Sequence, residues 1–378
     1  MQYRRFGKLD WKASVLGFGC MRFPTLGKYE EIDEPEAVRM IRRAVDGGVN
    51  YFDTAYGYHG GNSEGVLGRA LRDGYRSRVK IATKLPHWHV SASADFDRLL
   101  NEQLGRLGTD HIELYLLHSL GKDSWKKLTE LDVLTWAERA VGDGRIGHLG
   151  FSFHDELPAF KEIVDGWDRW AFCQIMYNYL YEKTQAGTEG LEYAARKGIP
   201  VVVMEPLLGG SLTSPPGAIQ SLWDAAPRRR SPAEWALAWL WNRPDVTVVL
   251  SGMSTMAQLE ENLALAGRAR AGELSARELE IVSNARDTYE KIRPIPCTRC
   301  NYCMPCPHGV NIPHNLGLYN TAVMYNQLER ERGNYLQTKP EERAKECTQC
   351  QECEPKCPQK IKISEWMPCI DKELGGAA

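Results

Sequence analysis

The chain has 378 residues, 47 Lys and Arg against 49 Asp and Glu for a formal net charge of −2, and 11 cysteines. So balanced a charge gives no electrostatic reason to expect nucleic acid or an anionic membrane as partner, and no uninterrupted apolar stretch approaches the ~20 residues that a spanning helix needs. The opening Met1-Gln2-Tyr3-Arg4-Arg5-Phe6 lacks an apolar signal region, so the expected location is the cytoplasm.

Taken in chain order, residues 3–14 read as a small hairpin turning at Gly7-Lys8-Leu9-Asp10. Eight short runs rich in β-branched and apolar residues follow, near 15–19, 49–55, 79–85, 112–118, 146–152, 172–177, 199–207 and 246–252. Stretches of helical periodicity sit between them, including 34–46, 63–72, 94–107, 131–143, 188–197 and 232–242. This alternation is the mark of βα units around a parallel sheet, and eight of them suit a closed (β/α)8 TIM barrel of the α/β class, its bottom capped by the hairpin. An open doubly wound sheet is the alternative, but it leaves the last strands poorly placed and would call for a G-x-G-x-x-G turn that the chain lacks. The Pro- and Gly-rich stretch 209–231 is long for a βα loop and reads as a lid or loose segment, with Arg228-Arg229-Arg230 as a solvated charge run. Trp235, Trp239 and Trp241 suit exterior packing or an oligomer contact.

Most of the cysteines lie near the end of the chain. Only Cys20, Cys173 and Cys369 lie outside two runs, Cys297-Cys300-Cys303-Cys306-Pro307 and Cys347-Cys350-Cys353-Cys357-Pro358. A C-x2-C-x2-C run closed by Cys-Pro lets three thiolates wrap one corner of a cubane cluster while the fourth reaches across to another, so the two runs predict two [4Fe–4S] clusters. Structural zinc, which favours two separated Cys pairs, and a disulfide framework, which belongs to short secreted chains, are the competing readings. The first run closes with a gap of two residues and the second with three, which leaves one fourth ligand less defined. Residues 312–332 look helical. The expected division is therefore a barrel over 1–290 and a small, mainly helical iron–sulfur domain over 291–378, with the boundary at Arg293-Pro294-Ile295-Pro296.

Active sites of such barrels sit at the C-terminal ends of the strands. Three successive strands end in an ionisable residue: Asp53, Lys84 and His118, with Tyr58 on the loop after Asp53. In this arrangement Lys84 would lower the Tyr58 phenol pKa from its usual ~10, Asp53 would keep the lysine charged and oriented, and His118 would polarise a carbonyl. The chemistry it suits is protonation of an oxygen while hydride arrives at carbon.

At Phe52-Asp53-Thr54-Ala55, Tyr58, Ser63-Glu64, Lys84, Leu114-Tyr115-Leu116-Leu117-His118 and Gln174-Ile175-Met176-Tyr177-Asn178 the chain resembles the aldo-keto reductase family. The resemblance implies a barrel over about residues 1–290, NADP or NAD across its mouth, and Asp53, Tyr58, Lys84 and His118 as a catalytic tetrad with Tyr58 as general acid. It further implies nicotinamide contacts from Ser152 and Gln174, contacts from Gly19, Cys20 and Met21 in the first loop, and from Met204, Glu205, Pro206, Leu207, Gly209 and Ser211. Near the adenosine end it implies Ser251, Gly252, Met253, Gln258, Glu261 and Asn262. Met204 stands where many members stack a tyrosine, Phe153 where many keep an asparagine, and Gly252 and Gln258 where a basic pair commonly grips the 2′-phosphate, so NADH and NADPH both stay open. With its tail the chain resembles the subgroup carrying a C-terminal ferredoxin-type domain, in which the shortened gap of Cys297 to Pro307 is typical.

The function expected is interconversion of a small-molecule carbonyl compound and an alcohol, with clusters for electron transfer or redox control. Hydride carries two electrons and a cluster one, so a relay between them would call on a flavin or an external ferredoxin or flavoprotein. The alternative is a non-catalytic nicotinamide-sensing or electron-transfer subunit. Phe23-Pro24, Tyr56, Trp88 and Phe153 are the expected walls of the substrate site.

Overall fold

The computed structural model describes residues 1–297 and 301–376, so Cys300 lies outside the described residues. The chain divides into two compact units, one made of Met1–Gly209 with Glu234–Ala276 and the other of Gly210–Ala233 with Arg277–Ala378.

The first unit opens with the antiparallel hairpin β1 (Tyr3–Arg5) and β2 (Lys12–Ser14). The strands β3 (Leu16–Gly19), β4 (Tyr51–Asp53), β5 (Lys80–Leu85), β6 (Ile112–Leu120), β7 (Ile146–Phe153), β8 (Phe172–Met176), β9 (Val201–Met204) and β10 (Val246–Gly252) then close on themselves in sequence order, β10 pairing β3. Every pair around the ring is parallel. Such strands are buried on both faces, which is why they read as near-continuous apolar runs rather than as alternating ones. Phe6 of the hairpin plugs the ring from below, fully buried among Tyr51, Leu114, Phe172 and Val248, a burial that contributes roughly 2–3 kcal/mol.

Helices α1 (Glu34–Asp46), α2 (Ser63–Ala70), α3 (Ala94–Leu107), α4 (Lys122–Glu130), α5 (Val133–Gly142), α6 (Leu157–Asp165) and α7 (Gly187–Arg196) cross over between the strands. The start of α1 follows from its sequence: Asp33 accepts from the Glu36 amide at 3.2 Å, a proline sits in the first turn, and Glu34 and Glu36 face the positive end of the dipole. Gly68 lets α2 lie against the end of α3, since a Cβ there would come within 2.2 Å of the Leu107 carbonyl oxygen.

In the second unit α8 (Gly217–Asp224) forms inside the stretch expected to be a long loop. Arg230 differs from its sequence reading too: it is 9% exposed and pairs with Glu278 rather than standing in solvent. The tryptophans of α9 (Pro232–Trp241) belong to the first unit and turn inward there, Trp241 donating to the Val15 carbonyl at 2.9 Å and Trp239 lying 5.2 Å from the Tyr177 ring, so packing and not an oligomer contact explains them. Helix α10 (Met256–Arg268) completes the first unit, and α11 (Ala276–Ile292) opens the long stretch of the second.

Residues 312–332 form two helices rather than one, α12 (Ile312–Met324) and α13 (Leu328–Gln337). The break falls at Asn326, whose φ of 52° is the left-handed turn that ends helices and that asparagine tolerates. With α14 (Ile363–Leu374) these helices enclose an apolar core that includes Ile295, Leu316, Met367 and Ile370. Asn320 binds both backbone groups of Ile295, at 3.0 and 2.8 Å, which ties the irregular segment entering the tail to α12. No helix among the described residues is long and apolar enough to cross a membrane.

Candidate active site at the barrel mouth

Asp53 ends β4 and Lys84 lies near the end of β5, so parallel pairing delivers both side chains to one rim. The Lys84 ammonium donates to Asp53 Oδ1 and to the Thr54 carbonyl, each at 2.7 Å, in a pair whose side chains are 1% and 4% exposed. The ammonium also stands 5.0 Å from the centre of the Tyr58 ring. His118, on β6, meets that ring edge-on with centroids 6.3 Å apart. The three residues singled out at the strand ends and Tyr58 on the loop after Asp53 therefore come together, with the lysine between carboxylate and phenol.

Burial alone would discharge Lys84, but Asp53 and Tyr58 outweigh it and hold the ammonium's pKa above its ordinary value. Burial raises the Asp53 carboxyl, tempered by Lys84 and by Gln174, whose amide donates to Oδ2 at 3.3 Å. The phenol differs from expectation. Burial raises the Tyr58 pKa and Asp53 adds to the rise, together exceeding the lowering by Lys84, so the phenol is held as a proton donor rather than poised to ionise. His118 is driven well below its usual range by burial and by the nearby Lys84, His154 and His87, which leaves a neutral imidazole.

A buried network behind the rim escaped the sequence reading. Glu64, with no exposure, accepts from Thr83 Oγ1 at 2.6 Å and Gln103 Nε2 at 2.7 Å, and Gln103 also donates to the Lys84 carbonyl at 3.0 Å. Glu64 was visible in the Ser63-Glu64 motif, whereas Gln103 is one amide on an amphipathic helix and carries no signal. Of the expected walls, Trp88 stands half exposed with its ring 4.9 Å from His118. Phe23 and Phe153 are buried, and the Arg106 guanidinium covers Tyr56 at 3.9 Å.

Ser152 and Gln174 are register partners on β7 and β8. Ser152 Oγ accepts from the Ser119 amide at 2.7 Å, while Gln174 Oε1 and His118 Nδ1 are buried without a hydrogen-bond partner. Gly19 pairs in register with Gly252, which joins the first loop to the end of β10. Met21 is exposed there and Cys20 is buried, its thiol raised well above the usual range by burial. Asn262 donates to Ser251 Oγ at 3.0 Å, Met253 is buried, and Gln258 accepts from the Ser254 amide at 2.8 Å at the start of α10, which also carries Glu261. Beyond Met204 the chain turns at Glu205, φ 55°, through Pro206 and Leu207 to Gly209. Ser211 belongs to the second unit, where Arg330 and Gln327 approach its hydroxyl at 3.3 and 3.2 Å.

In the tail, Cys297, Cys303, Cys306, Cys347, Cys353 and Cys357 pack against one apolar core, and Cys350 is exposed. The two runs face each other. Burial raises the Cys347 thiol, with Cys306 and Cys350 near enough to add to it, and burial pushes Cys353 up to about 11 with help from Cys347 and Cys303. Among the described residues no three His, Cys, Asp or Glu groups gather as they would around a single metal ion; a cubane takes its thiolates at separate iron corners.

A family model described as the aldo/keto reductase family matches residues 15–285, and one described as a 4Fe–4S dicluster domain matches residues 296–361. The chain is similar to an uncharacterized oxidoreductase of Schizosaccharomyces pombe, 28% identical over 71% of this chain and 86% of that protein. It is similar as well to a probable voltage-gated potassium channel subunit beta of Arabidopsis thaliana, 27% identical over 70% of this chain and 90% of that protein. Among solved structures, the holo form of an aldo-keto reductase from Bacillus halodurans superposes with a TM-score of 0.62 at 26% identity, covering 75% of this chain and 96% of that one.

Proposed function

The chain belongs to the aldo/keto reductase family of oxidoreductases and carries a 4Fe–4S domain after its barrel in the sequence, and from that premise we propose that it interconverts a carbonyl compound and its alcohol with NADP or NAD. The observation that carries the reading is the Asp53–Lys84 pair beneath a protonated Tyr58 and a neutral His118. The site also fits a nicotinamide: Gln174 Oε1 is a buried acceptor lacking the donor that a carboxamide would bring, with Ser152 beside it. When bound, the cofactor supplies the hydride. Tyr58 donates its proton to the carbonyl oxygen, Lys84 stabilises the phenolate left behind, Asp53 keeps Lys84 charged, and His118 orients the oxygen by a hydrogen bond from its neutral ring. NADP and NAD both suit the uncharged Gly252 and Gln258 at the adenosine end.

In the tail, Cys297, Cys300, Cys303 and Cys306 with Cys347, Cys350, Cys353 and Cys357 supply eight thiolates for two [4Fe–4S] clusters, in a domain beginning near residue 291. Clusters pass single electrons, so their proposed partner is a ferredoxin or flavoprotein, in a reducing compartment such as the cytoplasm. The likeness to a channel subunit favours one second reading, a barrel that senses nicotinamide without turnover. The test is anaerobic EPR of the reconstituted protein mixed with NADPH or NADH and an aromatic aldehyde. Alcohol formed in step with nicotinamide consumed, with silent clusters, supports hydride transfer in the barrel. No consumption with any aldehyde refutes it.

A further inference from the structure

His59 follows the proposed acid directly and takes no part in the chemistry above. Its ring has no exposure, and both of its nitrogens are engaged. Nε2 accepts from the Phe23 amide at 3.1 Å, which assigns the ring proton to Nδ1, and Nδ1 donates to the Tyr29 carbonyl at 2.5 Å. The ring also stacks against two others, 5.6 Å from Phe23 and 4.5 Å from Tyr29 with interplanar angles of 23° and 20°.

Phe23 and Tyr29 belong to the loop between β3 and α1, which folds back on itself through a bridge between Thr25 and Ile32. A second tie runs from Asn62 Nδ2 to the Glu30 carbonyl at 3.1 Å. To reach this loop the chain turns sharply after Tyr58: His59, Gly60 and Gly61 have φ of 51°, 63° and 94°. A side chain at Gly60 would be strained and would meet Glu30 Cγ at 2.8 Å. A left-handed conformation is disfavoured at a residue with a Cβ and persists where surrounding contacts impose it. Here the contacts are the two ring bonds and the stack. Burial lowers the ring's pKa, opposed by the Tyr29 carbonyl and Glu30, in keeping with the neutral tautomer that the bonds require.

We infer that His59 is a positioning residue, locking the loop of residues 24–32 onto the left-handed turn after Tyr58 and so holding the Tyr58 phenol against Lys84. The inference rests on the proposed role of Tyr58 for its effect on rate, and on geometry alone for the lock. Loss of the lock frees residues 24–32 and lets the turn relax, which moves the phenol. A displacement of about 1 Å at a reacting group is enough to slow turnover 10- to 100-fold.

The experiment compares the full cluster-loaded chain with His59→Phe, which keeps the stack and loses both bonds, and His59→Asn, which accepts the left-handed turn and retains a donor for Tyr29. Amide hydrogen exchange over residues 24–32 is read beside kcat and KM for NADPH with para-nitrobenzaldehyde. The result expected for His59→Phe is exchange faster by roughly tenfold and kcat lower by a similar factor, with the KM for NADPH within about twofold. His59→Asn recovers part of both. Exchange unchanged in both variants overturns the lock, and faster exchange at unchanged kcat, or slower turnover at unchanged exchange, overturns the positioning role. Wild-type protein without turnover would refute carbonyl reduction instead, a separate outcome because the exchange arm needs no substrate.

Discussion

Lys84→Met removes the ammonium from a pair with almost no access to water. At 2.7 Å and an effective dielectric of about 20, the gross attraction is roughly 6 kcal/mol. Desolvation of the two ions offsets much of it, but truncating one partner leaves the other charge buried, at a cost of about 3–5 kcal/mol. Asp53 would keep only the Gln174 amide at 3.3 Å, and the Thr54 carbonyl would lose its donor. Urea unfolding of Lys84→Met, Asp53→Asn and the double variant, read by tryptophan fluorescence, should therefore show the double variant less destabilised than the sum of the singles by about 2 kcal/mol or more. The pH dependence follows. Without Lys84 the folded-state pKa of Asp53 rises further above its unfolded value, so the folded chain binds more protons and the penalty shrinks as pH falls through that raised pKa. A loss below about 1 kcal/mol in Lys84→Met, additive with Asp53→Asn, would refute the claim that the two groups form one ionised unit.

Because burial raises the Tyr58 phenol, carbonyl reduction should stay level through neutral pH and decline only above the ordinary tyrosine range of ~10; a pH profile of kcat that falls from about pH 8 would show Lys84 dominating instead. His118 titrates well below its unfolded value, so its neutral form contributes stability that is complete above ~6.5 and is lost as pH falls below it. Urea midpoints measured across that window should fall less steeply for His118→Leu than for wild type. Arg230→Ala leaves Glu278 buried without this cation and should destabilise the second unit by about 3–5 kcal/mol; a thermal melt with no change in midpoint would contradict that.

The barrel was legible because its strands, buried on both faces, read as apolar runs between amphipathic helices, so residues 34–46 and 94–107 coincide with α1 and α3. Strand order also placed Asp53, Lys84 and His118 at one rim. Electrostatics was harder, since the Tyr58 pKa depends on how much water reaches the phenol, a property of the packed mouth. Arg230 reads as surface charge because its partner Glu278 lies 48 residues further on. His59 looked like one more polar loop residue; its bonds go to Phe23 and Tyr29, 36 and 30 residues before it. Contacts across such separations carry no local periodicity.

The most direct test of the account is Tyr58→Phe in anaerobic single turnover with deuterated NADPH and an aromatic aldehyde, with cofactor affinity measured separately. The account predicts unchanged NADPH binding and hydride transfer slowed by at least ~100-fold, as expected when a positioned general acid is removed. Hydride transfer at the wild-type rate would contradict it.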